Sequence, residues 1–325
     1  MRGAIVVSEH GEPEVLRWVE RDPGEPGPGE ALVRHTAVGL NFIDVYHRTG
    51  LYPQTPPFTP GVEGAGVVEA VGEGVENVAV GDRVAYTSNG PIGAYCEARI
   101  IDAWRLVHLP DDIADDQAAA LMVKGCTVEY LVRRTCPVRE GDVVLLTAAA
   151  GGVGLVACQW LRALGAVVIG TVGTEEKAEL ARAHGCDHTI LYRDEDITRR
   201  VREITDGAMC RVAFDSVGAS TFQPCLESLA PRGMMVTFGN ASGPVDPVSP
   251  LALARQGSVF LTRPRLADHY ATPEETAEGI GELFAMGTSG KSVPEIAARR
   301  PRAEPAGARR AGDARETTGS TVLTV

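Results

Sequence analysis

The chain has 325 residues, room for two ordinary domains, and its 44% hydrophobic and 23% charged content sits near globular averages. A net charge of −12, from 31 basic and 43 acidic residues, repels phosphate backbones over most of the surface and speaks against nucleic acid as the main partner. No apolar run approaches the ~18 residues of a membrane span, and Met1 to Val7 turns polar at Ser8-Glu9 too early for a signal peptide, so a cytoplasmic protein is expected.

Residues 1 to about 110 are rich in Val, Gly and Pro and show no helical periodicity. Short strands are predicted at Ala4–Ser8, Ala31–Val38, Gly64–Val71, Asp82–Ala85 and Tyr95–Ile101, punctuated by Gly and Pro turns, which suggests a compact β-barrel-like domain. The dense Pro and Gly of Arg21 to Gly29 cannot continue a ladder and mark a surface turn.

From about Asp115 the pattern changes. A helix over Gln117–Thr135 precedes the apolar run Val143–Thr147. Helices (Leu155–Leu164, Glu175–His184, Ile197–Thr205, Thr221–Leu229) then alternate with strands (Val167–Val172, Thr189–Leu191, Val212–Asp215, Met234–Phe238). Continuous apolar strands separated by helices signal an α/β fold with a doubly wound parallel sheet buried on both faces. After a helix over Glu274–Met286, the span Ala297 to Glu316 holds no Val, Ile, Leu, Met, Phe, Tyr or Trp. Such a segment buries too little apolar area to offset its ordering entropy. A closing strand, Ser320 to Val325, follows. The seven cysteines (96, 126, 136, 158, 186, 210 and 225) are dispersed with no Cys-x-x-Cys pair, which suits buried thiols better than a disulfide framework or zinc cluster.

Ala149-Ala150-Gly151-Gly152-Val153-Gly154 follows the strand ending at Thr147 and opens the helix at Leu155. Small residues let the backbone turn tightly toward a pyrophosphate, which then meets unsatisfied N–H groups and the positive end of the helix dipole. A lone glycine motif is weak, but here strand, turn, helix and βαβ series are all in place. An NAD site usually carries an acid at the end of the second strand, for the ribose 2′-OH. That strand here ends Val172-Gly173-Thr174, and Glu175 and Glu176 fit instead the first turn of the next helix. Gly173, Thr174, Lys177 and Tyr192 offer an N–H, a hydroxyl, a charge and a ring, a set that suits a 2′-phosphate and hence NADPH.

A β-rich first domain, a Rossmann domain opened by Ala-x-Gly-Gly-Val-Gly, and a return to the first domain together resemble the medium-chain dehydrogenase/reductase superfamily. Asn41-Phe42-Ile43-Asp44-Val45-Tyr46, Gly50-Leu51-Tyr52-Pro53, Ala148–Gly154, Gly173–Lys177, Asp215–Gly218 and Phe238–Gly243 are similar to its zinc-free, zeta-crystallin-like NADPH:quinone oxidoreductases. The resemblance implies a GroES-like catalytic domain (1–124, completed by 266–325) and a Rossmann NADPH-binding domain (125–265). In the zinc-dependent branch a Cys stands where this chain has Asn41, and a Gly-His-Glu supplies another ligand where this chain has Gly61-Val62-Glu63. Valine cannot ligate a metal, so no catalytic zinc is expected.

The resemblance further implies that Asn41, Phe42, Ile43, Asp44 and Tyr46 pass near the nicotinamide ribose, with Thr127 and Tyr130 at the same end of the cofactor. Gly151, Gly152, Val153 and Gly154 would hold the pyrophosphate, and Gly173, Thr174, Lys177 and Tyr192 the adenosine phosphate. Val217 and Phe238, Gly239, Asn240, Ala241, Ser242 and Gly243 would flank the nicotinamide, with Arg263, Arg265 and Arg315 as more distant contributors. Asn41, Tyr46 and Tyr52 are the candidate catalytic residues, the tyrosines lining the acceptor site, where a phenol stacks on a ring and donates to a carbonyl oxygen gaining charge. The family would place a helix after Ser292; without large apolar residues, Ser292 to Asp313 is expected to lack helical order and to be mobile.

The implied activity is NADPH-dependent reduction of small quinones. Its rivals are an enone or enoyl-thioester reductase with the same cofactor geometry, and a nucleotide-gated RNA-binding protein, which the net charge disfavours. A homodimer through the edge strand near Val259–Thr262 is expected from the family.

Overall fold

The computed structural model describes residues 1–87, 91–301 and 318–324. The chain divides into two compact units, Met1–Cys126 with Tyr270–Val325, and Thr127–His269. In the first, strands β1 (Arg2–Val7) and β2 (Leu16–Arg21) form a hairpin, followed by β3 (Glu30–Leu40), helix α1 (Ile43–Thr49), β4 (Glu63–Val71), β5 (Arg83–Thr87), β6 (Ala98–Asp102) and β7 (Val107–His108). Helix α2 (Asp115–Glu129) leads into a π-helical segment, Tyr130–Thr135.

The second unit alternates β8 (Val143–Leu146), α3 (Gly152–Ala163), β9 (Val167–Val172), α4 (Glu175–Ala183), β10 (His188–Leu191), α5 (Ile197–Ile204), β11 (Cys210–Asp215), α6 (Phe222–Glu227) and β12 (Leu229–Thr237), then α7 (Pro250–Arg255), β13 (Phe260–Thr262) and α8 (Leu266–His269). The chain returns to the first unit through α9 (Pro273–Thr288), β14 (Ile296–Pro301) and β15 (Ser320–Thr324). A complete capping box at Thr272 and Glu275 starts α9.

All strand pairs of the six-stranded sheet β10-β9-β8-β11-β12-β13 are parallel. This is the doubly wound order, whose direction reverses between β8 and β11 and opens a crevice beyond their carboxyl ends. Leu145, Ile169, Ile190, Ala213 and Met235 are fully buried, consistent with apolar strands covered on both faces. In the first unit the sheet runs β14-β15-β3-β4-β5-β7, with β6 also paired to β3. The β1–β2 hairpin ties on where Ile5 N–H donates to Tyr95 O at 2.8 Å and Val7 N–H to Phe58 O at 2.8 Å. Ile5, Val33, Val38, Tyr86 and Tyr95 fill this core, each large apolar side chain contributing ~1.5–3 kcal/mol by its burial.

Among the departures from the sequence reading, three have a clear physical reason. Residues 43–49, read as part of a helix-free stretch, form α1; seven residues are too few to show a period, and Gly50, at φ +83°, ends the helix. Strand β2 is hidden in the sequence because five of its six residues are exposed and polar alternation is absent. Where the family implies a helix, Ile296–Pro301 is a strand paired in parallel with β15: backbone pairing at a sheet edge demands less apolar surface than an amphipathic helix does. Residues 302–313 of that span, Arg315 and Val325 lie outside the described residues. All seven cysteines are buried, and burial pushes the Cys210 thiol up to about 12. Among the described residues no helix is long and apolar enough to cross a membrane.

Candidate active site

The turn after β8 builds a cradle from backbone. Ala148 adopts φ +51°, and Gly151 caps α3 with no side-chain hydrogen bond, so the cap residue leaves the first N–H groups of α3 unoccupied by its side chain. Gly151, Gly152 and Val153 are half-buried while Gly154 is buried. A Cβ on Gly154 would lie 2.3 Å from Ala148 O and 2.6 Å from Ala149 O, so only glycine lets the helix start this close to the strand.

At the end of β9, Thr174 caps α4, its hydroxyl accepting from Lys177 N–H at 3.4 Å. A backbone N–H and the Thr174 hydroxyl hold the exposed Glu176 carboxyl below its ordinary range, and Glu175 pairs with Arg182 at 2.5 Å. The acids after β9 thus serve the helix start. A Cβ on Gly173 would sit 3.1 Å from the Tyr192 hydroxyl and 3.5 Å from Arg193 Nε. Arg193 is a cation the sequence reading missed, although its place directly after Tyr192 was a usable signal.

Beyond β11, the buried Asp215 carboxylate accepts from Thr147 Oγ1 (2.9 Å), Thr221 Oγ1 (2.6 Å), Val217 N–H (3.0 Å) and Gly218 N–H (3.1 Å). It therefore fixes the Val217 loop against the end of β8. The Phe238–Gly243 loop interlocks with it: Ser242 donates to Val217 O through both its N–H (2.7 Å) and its hydroxyl (2.8 Å). Arg263 braces that loop by donating to Thr237 Oγ1 (3.1 Å) and Gly239 O (2.9 Å). Arg265 is not gathered in; it is exposed and pairs with Asp268 at 2.7 Å, which raises the arginine's proton affinity and lowers that of the aspartate. Thr127 and Tyr130 are buried, and Tyr130 stacks on His269 with centroids 4.7 Å apart and planes 4° apart.

In the first unit, β3 runs directly into Asn41, Phe42 and α1. The Asp44 carboxylate accepts from Asn41 N–H at 2.9 Å and from the Tyr95 hydroxyl at 2.8 Å, and is turned into the fold. Tyr46 meets Phe42 (5.5 Å between centroids) and Tyr52 (5.0 Å), while Ile43 stands half-buried beside them. Tyr46 is buried and Tyr52 half-buried. Asn41 itself belongs to a network the sequence reading missed. Its Nδ2 donates to Glu63 Oε1 at 2.7 Å and its Oδ1 accepts from Lys124 Nζ at 3.0 Å. Lys124 also donates to Glu63 Oε1 at 2.9 Å, and Glu63 Oε2 accepts from Val123 N–H at 2.6 Å. A lone lysine inside the apolar stretch Ala118 to Cys126 was the available sequence signal.

The corner does not fit zinc. At the two positions where the zinc branch carries Cys and His stand an amide already committed to two partners and a fully buried valine. An ammonium group within 3.0 Å of both remaining oxygen donors would repel a dication. Among the described residues no group of three or more His, Cys, Asp or Glu side chains could hold a metal ion.

Residues 27–111 match the alcohol dehydrogenase GroES-like domain and residues 152–275 the zinc-binding dehydrogenase family. The chain is 51% identical over 324 residues to a quinone oxidoreductase of Pseudomonas aeruginosa, covering 99% of each. It is 44% identical to a 2-haloacrylate reductase of a Burkholderia species, covering 98% of each. The crystal structure of Escherichia coli quinone oxidoreductase complexed with NADPH superposes with a TM-score of 0.97 at 43% identity, over 99% of this chain and 100% of that one. With Asn41 and Val62 at the ligand positions of the zinc branch, the chain belongs to the zinc-free, zeta-crystallin-like NADPH:quinone oxidoreductases of the medium-chain dehydrogenase/reductase superfamily.

Proposed function

We infer that the chain reduces small quinones with NADPH and without a metal ion. The observation that carries this reading is the corner at Asn41, where Lys124 and Glu63 occupy the amide and Val62 offers no ligand. Alcohol oxidation in the zinc branch relies on a Lewis acid; acceptors that take hydride without metal polarisation are quinones and activated enones.

The residues present fit NADPH. The uncapped start of α3 and the glycine cradle suit a pyrophosphate, for which Gly151, Gly152, Val153 and Gly154 are the residues. Gly173, Thr174, Lys177 and Tyr192, joined by Arg193, form the 2′-phosphate site, and the acids directly after β9, Glu175 and Glu176, are engaged at α4. For the nicotinamide end the family likeness nominates Asn41, Phe42, Ile43, Asp44 and Tyr46 in the first unit and, taken by themselves, Thr127, Tyr130, Val217 and Phe238–Gly243 in the second. Arg263 acts through the loop it braces. Arg265, paired on the surface, is the weakest of these assignments.

When bound, NADPH supplies the hydride. The chain's part is to align a flat acceptor and exclude water. Tyr46 and Tyr52 offer an aromatic wall, and the Tyr52 hydroxyl donates to the acceptor oxygen as it gains charge. A second reading, reduction of an activated alkene, is supported by the likeness to a 2-haloacrylate reductase. Steady-state rates with 1,4-benzoquinone and with an enoyl-thioester separate the two. Faster turnover of the quinone is expected; quinone inactivity with brisk enoyl-thioester turnover overturns the substrate assignment and leaves fold and cofactor intact.

A cytoplasmic homodimer completes the proposal. Phe260, 58% exposed on edge strand β13, supports pairing there. Sedimentation at the mass of a single chain would remove that part.

A further inference from the structure

Lys124, Glu63 and Asn41 come from three separated stretches of sequence and meet in a place with almost no solvent. The side chains of Lys124 and Glu63 are 5% and 0% exposed, and they approach to 2.9 Å. Burying both ions is costly, and apolar residues of similar volume would serve stability as well or better. The fold nevertheless makes room for them. A Cβ on Gly39 would fall 2.0 Å from Glu63 Oε1 and 2.2 Å from Ala119 O, so glycine at that position of β3 leaves room for both the carboxylate and the α2 backbone. A mid-helix N–H, that of Val123, donates to the same carboxylate.

The chemistry of the two ions dictates one thing about Asn41. An ammonium only donates and a carboxylate only accepts. The Asn41 amide must therefore turn its oxygen to Lys124 and its nitrogen to Glu63, and the opposite orientation would break both contacts. A side chain whose O and N are ordinarily interchangeable is given a single polarity.

We propose that Lys124 and Glu63 are positioning residues that lock the orientation of the Asn41 amide for hydride transfer. The inference rests on the reading of Asn41 as a residue of the nicotinamide end. The lock also anchors Asn41 to α2, the helix that carries Thr127 three residues after Lys124. Neither ion acts on the acceptor; both act through Asn41.

The test is the double variant E63Q/K124M. It is nearly isosteric and removes both charges together, so no ion is left stranded. If the glutamine side chain introduced by E63Q turns its oxygen to Val123 N–H, as the carboxylate does now, its NH₂ faces Asn41 and reverses the polarity demanded of that amide. Three readouts are compared with wild type: kcat for 1,4-benzoquinone, the Kd of NADPH by fluorescence titration, and the Asn41 side-chain NH₂ signals of cofactor-free protein labelled with ¹⁵N-asparagine. The expected result is a fall in kcat of about ten- to a hundredfold, the scale for a misplaced group at a reacting centre, with NADPH Kd changed by less than about threefold. The two Asn41 amide protons, expected to be widely separated in wild type because one bonds a carboxylate, should draw together.

A purely structural role predicts instead that a folded double variant keeps its kcat within about twofold and its Asn41 signals unchanged, and either result overturns the proposal. Should the double variant not fold, the wild-type protein decides: two well-separated Asn41 side-chain NH₂ signals are expected of an amide held in one orientation by a carboxylate and an ammonium, and close-lying signals refute the lock. A wild-type protein with no benzoquinone turnover refutes the functional reading alone, since the Asn41 signals report on the lock without cofactor or acceptor.

Discussion

The glycine turn after β8 and the corner at Asn41, both proposed to face the cofactor, are built in opposite ways. The turn is made of backbone: Ala148 at positive φ, Gly151 at the helix start, and Gly154 pressed against two carbonyls. Its parts are neighbours in sequence, and its chemistry is that of any uncapped helix start. The corner is made of side chains from residues 41, 63 and 124, held by opposite charges in a dry place. A backbone cradle tolerates no added carbon at its point of closest approach, and its attraction for anions comes from fixed N–H groups that no side-chain exchange removes. A side-chain corner tolerates isosteric change but is sensitive to which atom donates.

That contrast can be broken most violently at Gly154. In Gly154→Ala the new Cβ, 2.3 Å from Ala148 O, forces the helix start away from β8, and NADPH affinity should fall about a hundredfold, the equivalent of ~3 kcal/mol of overpacking strain. Gly151→Ala, with its Cβ 3.2 Å from the same oxygen, should lose far less. Equal affinities in the two variants, by fluorescence titration, would show that the cradle does not depend on close packing.

The adenosine end should show charge sensitivity where the turn does not. Lys177→Ala is expected to weaken NADPH by about ten- to a hundredfold, the worth of a charge-assisted hydrogen bond of ~1.5–3 kcal/mol, and to leave NADH nearly untouched. Equal losses for both cofactors would make Lys177 a structural residue.

At the acceptor wall the expected effect is smaller. Tyr52→Phe removes a hydroxyl and keeps the ring that meets Tyr46 at 5.0 Å. A neutral hydrogen bond of ~0.5–1.5 kcal/mol makes kcat fall about two- to tenfold with NADPH affinity unchanged. An unchanged kcat reduces Tyr52 to a stacking surface. Smallest of all is the effect of thiol reagents. With the Cys210 thiol pushed up to about 12 by burial, and those of Cys225 and Cys136 also pushed up chiefly by burial, iodoacetamide near neutral pH should leave these three residues unmodified by mass spectrometry.

How much of this was legible follows the same divide. The doubly wound unit declared itself because its strands are continuous apolar runs between helices, and Val167–Val172 was placed to the residue. The glycine turn before α3 and the start of α4 at Thr174 could be read because each is local. Helix α1 could not, being a seven-residue element shorter than two full periods of the pattern. Nor could β14, whose pairing with β15 is decided by a partner more than twenty residues on. The Asn41 corner was half visible. Val62 was noticed as the wrong residue for zinc, but nothing local says that Glu63 meets a lysine 61 residues later. Asp215 was similarly recognised as part of a motif without its task, which is to hold the ends of β8 and β11 and the Val217 loop in one hydrogen-bonded cluster.

The central claim is hydride transfer from NADPH to a quinone with no metal ion in the site. It is tested most directly by treating the protein with a strong chelator, removing the chelator, and following NADPH oxidation by 1,4-benzoquinone. Full turnover after chelation, with no zinc found by elemental analysis and no oxidation of saturated alcohols by NADP⁺, is the result predicted from the Asn41–Lys124–Glu63 corner. Loss of quinone turnover on chelation, restored by about one zinc per chain, would contradict it.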